Sequence, residues 1–293
     1  MQPEVESGSF ATGAVSRLLE RLAYQVNAAL HNHGEESIHE LRVAVRRFNQ
    51  SLALFKDLYP GKERKKIRRK LKNILHLTSD VRDCDVAAEL LTDSELAGAE
   101  ALRKPLAERR KDAVRMLMPA LRGWSSGRTT AKWRAALTPN GASHTPLSEI
   151  VQDRLPRIGK RFFKQADDAS DANDLHHARI LGKKLRYSLE LLQPAYNGKT
   201  DAAIEQLRTF QSLLGKAHDA HAIRLLVTDL RGDSEIEAWM KKREKKKIRE
   251  FHDAWRQSSD ALRDALQTLK TVTRKPVARA GRAAAAKPKT RIA

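Results

Sequence analysis

Residues 39–55 read His39-Glu-Leu-Arg-Val-Ala-Val-Arg-Arg-Phe-Asn-Gln-Ser-Leu-Ala-Leu-Phe55. Leu41, Val45, Phe48, Leu52 and Phe55 recur at steps of four and three, the rhythm of a helix that buries one stripe. His39, Arg42, Arg46 and Asn49 keep the same rhythm on another face, and Arg47 broadens it. Groups one turn apart, roughly 5.4 Å, offer an anion lying along the helix an imidazole and several guanidiniums in a line.

The pattern returns 137 residues later, with His176 falling on His39. Arg179 matches Arg42, Lys183 matches Arg46, Lys184 matches Arg47 and Arg186 matches Asn49. Leu185, Leu189 and Leu192 fall on the apolar positions of Phe48, Leu52 and Phe55. A second block repeats at an offset of 136: Leu71, Ile74, Leu77, Arg82, Asp83 and Leu90 answer to Leu207, Phe210, Leu213, His218, Asp219 and Leu226. Two blocks at nearly one offset imply an internal duplication.

Working outward, the spacing of Val15, Leu18, Leu19, Leu22, Val26 and Leu30 predicts a helix ahead of the first block, with Gly34 as a left-handed cap. Ser37 and Glu40 predict a capping box for the next helix, which Tyr59-Pro60-Gly61 ends. Residues 62–72 then hold eight basic side chains and one acid while Ile67, Leu71 and Ile74 keep helical phase. Lys65, Arg69 and Lys72 form either a solvated outer face or an electropositive wall beside the 39–49 face. Asp83 and Asp85 stand amid this base as clamps for arginines, or as caps of a helix starting near Val86. In the second half, Asp174 is a candidate cap for the helix that carries His176.

The composition is nearly all helix-forming, with 31% charged, 41% apolar and 5% aromatic residues among 293. The expected domains are a first helical bundle over 10–122, a linker with a short helix over 123–146, a second bundle over 147–270 and a disordered basic tail over 271–293. No apolar run is long enough for a membrane span, and no signal-peptide pattern opens the chain. A lone cysteine, Cys84, excludes an intrachain disulfide, and a cytoplasmic location is expected.

A formal net charge of +20 opposes compactness and points to a polyanion: nucleic acid, an anionic membrane or a phosphate polymer. The tail alone carries seven basic residues and no acid, which suits DNA or RNA bound through charge with little sequence choice. His176 and His177, with His218 and His221, are an alternative zinc set, but no cysteine or carboxylate pattern completes it, so neither metal nor cofactor is expected. No phosphate-cradling glycine loop or activated nucleophile is present in the sequence, so a binder is expected and an enzyme is not.

The motifs His39-x-x-Arg42-x-x-x-Arg46-Arg47, Arg82-Asp83-x-Asp85 and His176-x-x-Arg179-x-x-x-Lys183-Lys184-x-Arg186-Tyr187-x-x-Glu190 resemble the conserved-histidine α-helical domain, or CHAD, family over about residues 10–270. That resemblance implies two tandem four-helix bundles with a basic groove between them, inorganic polyphosphate as ligand, and association with polyphosphate granules. It places His39, Arg42, Arg46, Arg47, His176, Arg179, Lys183, Lys184 and Arg186 in the groove. Tyr187 and Glu190 support them, and Arg82, Asp83, Lys216 and His218 lie at the periphery. Asn49 departs from the basic residue common in relatives, which implies a weaker contact there. A nucleoid-associated DNA binder is the runner-up, and a polyphosphate-processing enzyme ranks below it.

Overall fold

The periodic stretches fold as helices in chain order: α1 (Ser7–His31), α2 (Glu35–Leu54), α3 (Gly61–Leu77), α4 (Ser79–Thr92), α5 (Ala99–Ser126), α6 (Thr129–Ala136), α7 (Leu147–Asp167), α8 (Ala172–Tyr196), α9 (Asp201–Asp229) and α10 (Ser234–Thr273). The computed structural model describes residues 5–139 and 144–273, with backbone alone for 270–273. Within these the fold is all-α, and the single β-type contact is an isolated bridge between Glu6 and Pro146. The basic tail lies outside the described residues beyond Thr273. Among the described residues no helix is long and apolar enough to cross a membrane.

The apolar stripe of α2 is fully buried: Leu41, Val45, Phe48, Leu52 and Phe55 have no exposed surface. α1 packs on α2, α2 on α3, α7 on α8, α8 on α9 and α9 on α10. α2 also meets α8, and α4 meets α9. One cluster of buried side chains runs from Ala11 in α1 to Leu269 in α10. A second joins Leu91 and Leu102 to Val227 and Met240, so both halves of the sequence share each core. Polar ties cross as well. Gln50 donates to Ser188 at 2.9 Å in a buried site, and Arg154 of α7 donates to the Leu54 carbonyl and to Asp57.

Several local expectations are corrected. Gly34 is not a left-handed cap of α1; it has φ −64° and is the extended N-cap of α2, while Asn32 closes α1. Ser37 consequently lies inside α2 and makes no capping box, because Glu35 and Glu36 occupy the first turn and favour the positive helix end. Asp83 and Asp85 sit in mid-helix, since α4 starts at Ser79 instead of near Val86. Asp171, not Asp174, caps α8: it accepts from the Asp174 amide at 2.8 Å, while the Asp174 carboxylate accepts from the Ser170 amide at 3.1 Å. The helix starts earlier than the apolar periodicity indicates at α1, where Ser7 and Gly8 are already buried.

The two repeats also differ. The first-half block breaks at Thr78 into α3 and α4, whereas its counterpart α9 runs unbroken for 29 residues. The stretch expected as a linker contributes to the core: Trp133 of α6 stacks on Phe48, with ring centroids 5.9 Å apart, and meets Trp124 edge-on at 4.5 Å. Trp133→Ala should therefore destabilise the protein by about 3–5 kcal/mol, the usual cost of emptying a buried tryptophan site. Urea unfolding measures this, and a loss below about 1 kcal/mol contradicts the placement of α6 in the core.

Candidate functional site

α2 packs against α8, and α4 and α9 pack against them in turn and against each other. Arg42 and Arg46 from α2 lie within electrostatic reach of Arg179 and Lys183 from α8. All four are half-buried. Asp83 of α4 and Asp219 of α9 are the facing carboxylates, so four cations share two acids. Two of the matched pairs, Arg42 with Arg179 and Arg46 with Lys183, thus form one cluster in space.

Each cation is held differently. The Arg42 guanidinium donates through one nitrogen to the Leu75 carbonyl at 3.0 Å, Thr78 Oγ1 at 2.8 Å and Ser79 Oγ at 3.3 Å. These acceptors exist because the helix breaks at Thr78, which frees the carbonyls of the last α3 turn. Burial beside Arg46 pushes the Arg42 pKa down to about 9. Arg179 reaches Asp219 only at 3.9 Å, and its Nε is buried without a hydrogen-bond partner. Burial first, then Arg179, Arg46 and Arg42, hold the Lys183 amine well below the ordinary lysine value. Burial raises the Asp83 carboxyl despite the cation of Arg42. The cluster therefore disfavours the charge on its own cations and leaves one buried donor, Arg179 Nε, unfilled.

Tyr187 lies beside Arg46 and Arg179 and is buried. The Arg186 guanidinium stacks over its ring at 4.8 Å and Arg47 at 5.9 Å. Both arginines then close on Glu190, at 2.5 Å from Arg186 and 3.1 Å from Arg47, and Arg186 Nε also donates to Gln211 at 2.7 Å. Arg47 and Arg186 therefore share the Glu190 carboxylate and form a partly compensated flank, set apart from the four central cations.

His176 Nδ1 stands 3.0 Å from His218 Nδ1, so one ring donates and the other accepts. Burial and Arg179 lower both, His218 to about 3. Next to them, Glu244 of α10 accepts from His221 at 2.8 Å and from Arg224 at 2.6 Å. Among the described residues no three His, Cys, Asp or Glu side chains are grouped as a metal site. His39 lies near the N-terminus of α2, where partial burial and then Arg82 lower it; Arg82 itself pairs with Glu35. Asp85 pairs with Arg110 at 2.5 Å, as an arginine clamp.

Other predicted residues stay outside the cluster. Lys65, Arg69 and Lys72 lie on the exposed face of α3. Lys216 is exposed and faces Glu250 on α10. Lys184 is exposed beside Arg161 and Arg68. Sequence reasoning missed Arg68, whose Nε donates to Asn49 Oδ1 at 2.9 Å. The residue that lacks a charge at position 49 holds a guanidinium from the next helix.

Separately, an apolar cavity of about 620 Å³ lies between α7, α8 and α10, lined by Leu155, Phe163, Leu189 and Leu266. None of the central cations lines it.

The CHAD domain family model matches residues 13–228, most of the chain. The chain belongs to the CHAD-domain family. Two solved structures share the fold of this CHAD protein. The CHAD domain from the plant Ricinus communis superposes with a TM-score of 0.66 at 18% identity, covering 91% of this chain and 93% of that one. PptA from Streptomyces chartreusis superposes with a TM-score of 0.65 at 14% identity, covering 90% of this chain and all of that one. No curated protein matches at a significant level.

The histidine pair gives a pH dependence with a definite sign. Both folded values lie below the unfolded histidine value of about 6.5, so the neutral pair contributes stability above that pH. That contribution drains as pH falls below it, by up to about 2 kcal/mol at pH 5 for His218. In phosphate-free buffer the wild type should lose more stability between pH 7 and pH 5 than His218→Asn does. Identical losses by urea unfolding contradict this.

Proposed function

We propose that this CHAD protein binds inorganic polyphosphate at the junction of α2 and α8, as a non-enzymatic ligand-binding protein. The observation that carries the reading is the surplus of half-buried cations, Arg42, Arg46, Arg179 and Lys183 against Asp83 and Asp219, drawn equally from two matching segments. Arginine forks suit phosphate oxygens in pairs, and Lys183 supplies a point charge. A chain of phosphates meets all four at once, with His39 toward one end of α2 and the His176–His218 pair at its flank.

In this reading the protein is a duplicated pair of four-helix bundles with the ligand track between them, and it resides in the cytoplasm at polyphosphate granules. An anion filling the cluster replaces the missing counter-charges and raises the depressed cation pKa values. Duplex DNA is too wide and stiff to bring successive phosphates to four half-buried cations at one helix junction, and its contacts fall to exposed basic faces and to the tail.

The test separates binding from stability. Replacing Arg46 by Gln together with Lys183 by Met removes like charges from a crowded site, so the ligand-free variant should melt at or above the wild-type temperature. Its polyphosphate affinity should fall by about 100-fold or more, since hydrogen bonds to charged groups contribute about 1.5–3 kcal/mol each. Neutralising a single tail lysine, Lys289, should change affinity less than about twofold. Equal losses from the two changes in a titration with long-chain polyphosphate contradict the proposed site.

A further inference from the structure

The two flanks of the central cluster are not alike. On one, Arg47, Arg186 and Arg208 converge on Glu190, at 3.1, 2.5 and 4.0 Å. On the other, the residue matching Glu190 at the 137-residue offset is Ala53, which brings no carboxylate. Arg68, held by Asn49, lies there beside Arg64, and Lys184 lies beside both Arg161 and Arg68. Among the described residues none of Arg64, Arg68, Arg161 and Lys184 has a carboxylate within ion-pair distance, and the Nε of Arg64 is buried without a partner. This cation row adjoins the centre: Asn49 is one turn past Arg46 on α2, and Lys184 follows Lys183 on α8.

We infer that a phosphate polymer bound at the centre leaves it over the α3–α7–α8 face, along Arg68, Lys184 and Arg161, and not past Glu190. This rests on the polyphosphate reading and adds a direction and a second subsite to it. A mobile polyanion follows the side where positive potential is uncompensated; on the Glu190 side the same number of guanidiniums is already occupied. Asn49 is a positioning residue that fixes Arg68 through Nε and leaves its terminal nitrogens for phosphate.

A length comparison tests it. Tripolyphosphate is short enough to fill the centre alone, whereas long-chain polyphosphate reaches the flank. In the variant Arg68→Gln, Arg161→Gln, Lys184→Gln, the affinity for long chains should fall about tenfold or more while that for tripolyphosphate stays within about twofold. Glu190→Gln, which frees Arg47 and Arg186, should strengthen long-chain binding. Because the three replaced residues lie at the surface or half-buried outside the core, folding of the triple variant is expected and is checked by its melting curve. Equal losses for both probes, or no loss for long chains, overturn the second subsite while leaving the central site standing. Failure of wild-type protein to bind either probe overturns the polyphosphate reading itself, and the subsite with it.

Discussion

Mutual repulsion among the cations at the α2–α8 junction is the constraint on which the rest depends. Arg42, Arg46, Arg179 and Lys183 are held close together and partly out of water, where each cation disfavours the next. That mutual repulsion opposes folding, and the surrounding packing has to offset it. A loose surface would spread these charges apart. Here the apolar stripes of α2 and α8 are locked into a continuous core, and the buried Gln50–Ser188 bond and the Arg154 contacts to Leu54 and Asp57 fix one helix against the other. Rigid packing keeps the charges where they repel.

The same logic explains why the two repeats are not copies. Breaking the first-half helix at Thr78 gives Arg42 three oxygen acceptors and so fixes it without a carboxylate. α9 has no such break, and Arg179 is left with a distant Asp219 and an unfilled Nε. One half supplies a well-anchored guanidinium and the other an under-satisfied one. The neutral His176–His218 pair adds hydrogen-bonding capacity beside Arg179 without adding charge to an already crowded site.

The helical class and the converging faces were legible in the sequence because a 3.6-residue period and a fixed repeat offset are strong signals. Arg42, Arg46, Arg179 and Lys183 follow directly from them. The break at Thr78 was not legible: Leu77-Thr78-Ser79-Asp80 matches Leu213-Leu214-Gly215-Lys216 in position, yet the glycine-bearing copy stays helical and the other breaks. The caps misled because a glycine between two helices fits the left-handed end of the first as readily as the start of the second, and the extended backbone at Gly34 decided for the second, leaving Ser37 inside α2. Arg47 looks equivalent to the central cations by spacing, but its contact with Glu190 exists only in three dimensions, whereas Arg186 and Glu190 are already one helical turn apart in the sequence. Arg68 was hidden for the same reason, since nothing in the spacing of α3 shows that Asn49 will hold it.

The central claim is that the cluster is a shaped site for a flexible phosphate chain, distinct from a general basic surface. Competition at physiological salt is the most direct test: labelled long-chain polyphosphate bound to the full chain, displaced by duplex DNA matched in total charge. Retention of polyphosphate against a large excess of DNA is the predicted result, because a single flexible chain of phosphates can meet Arg42, Arg46, Arg179 and Lys183 together where a stiff duplex cannot. Displacement charge for charge would contradict it, and would leave the net charge of +20, not the arrangement of these four cations, as the source of binding.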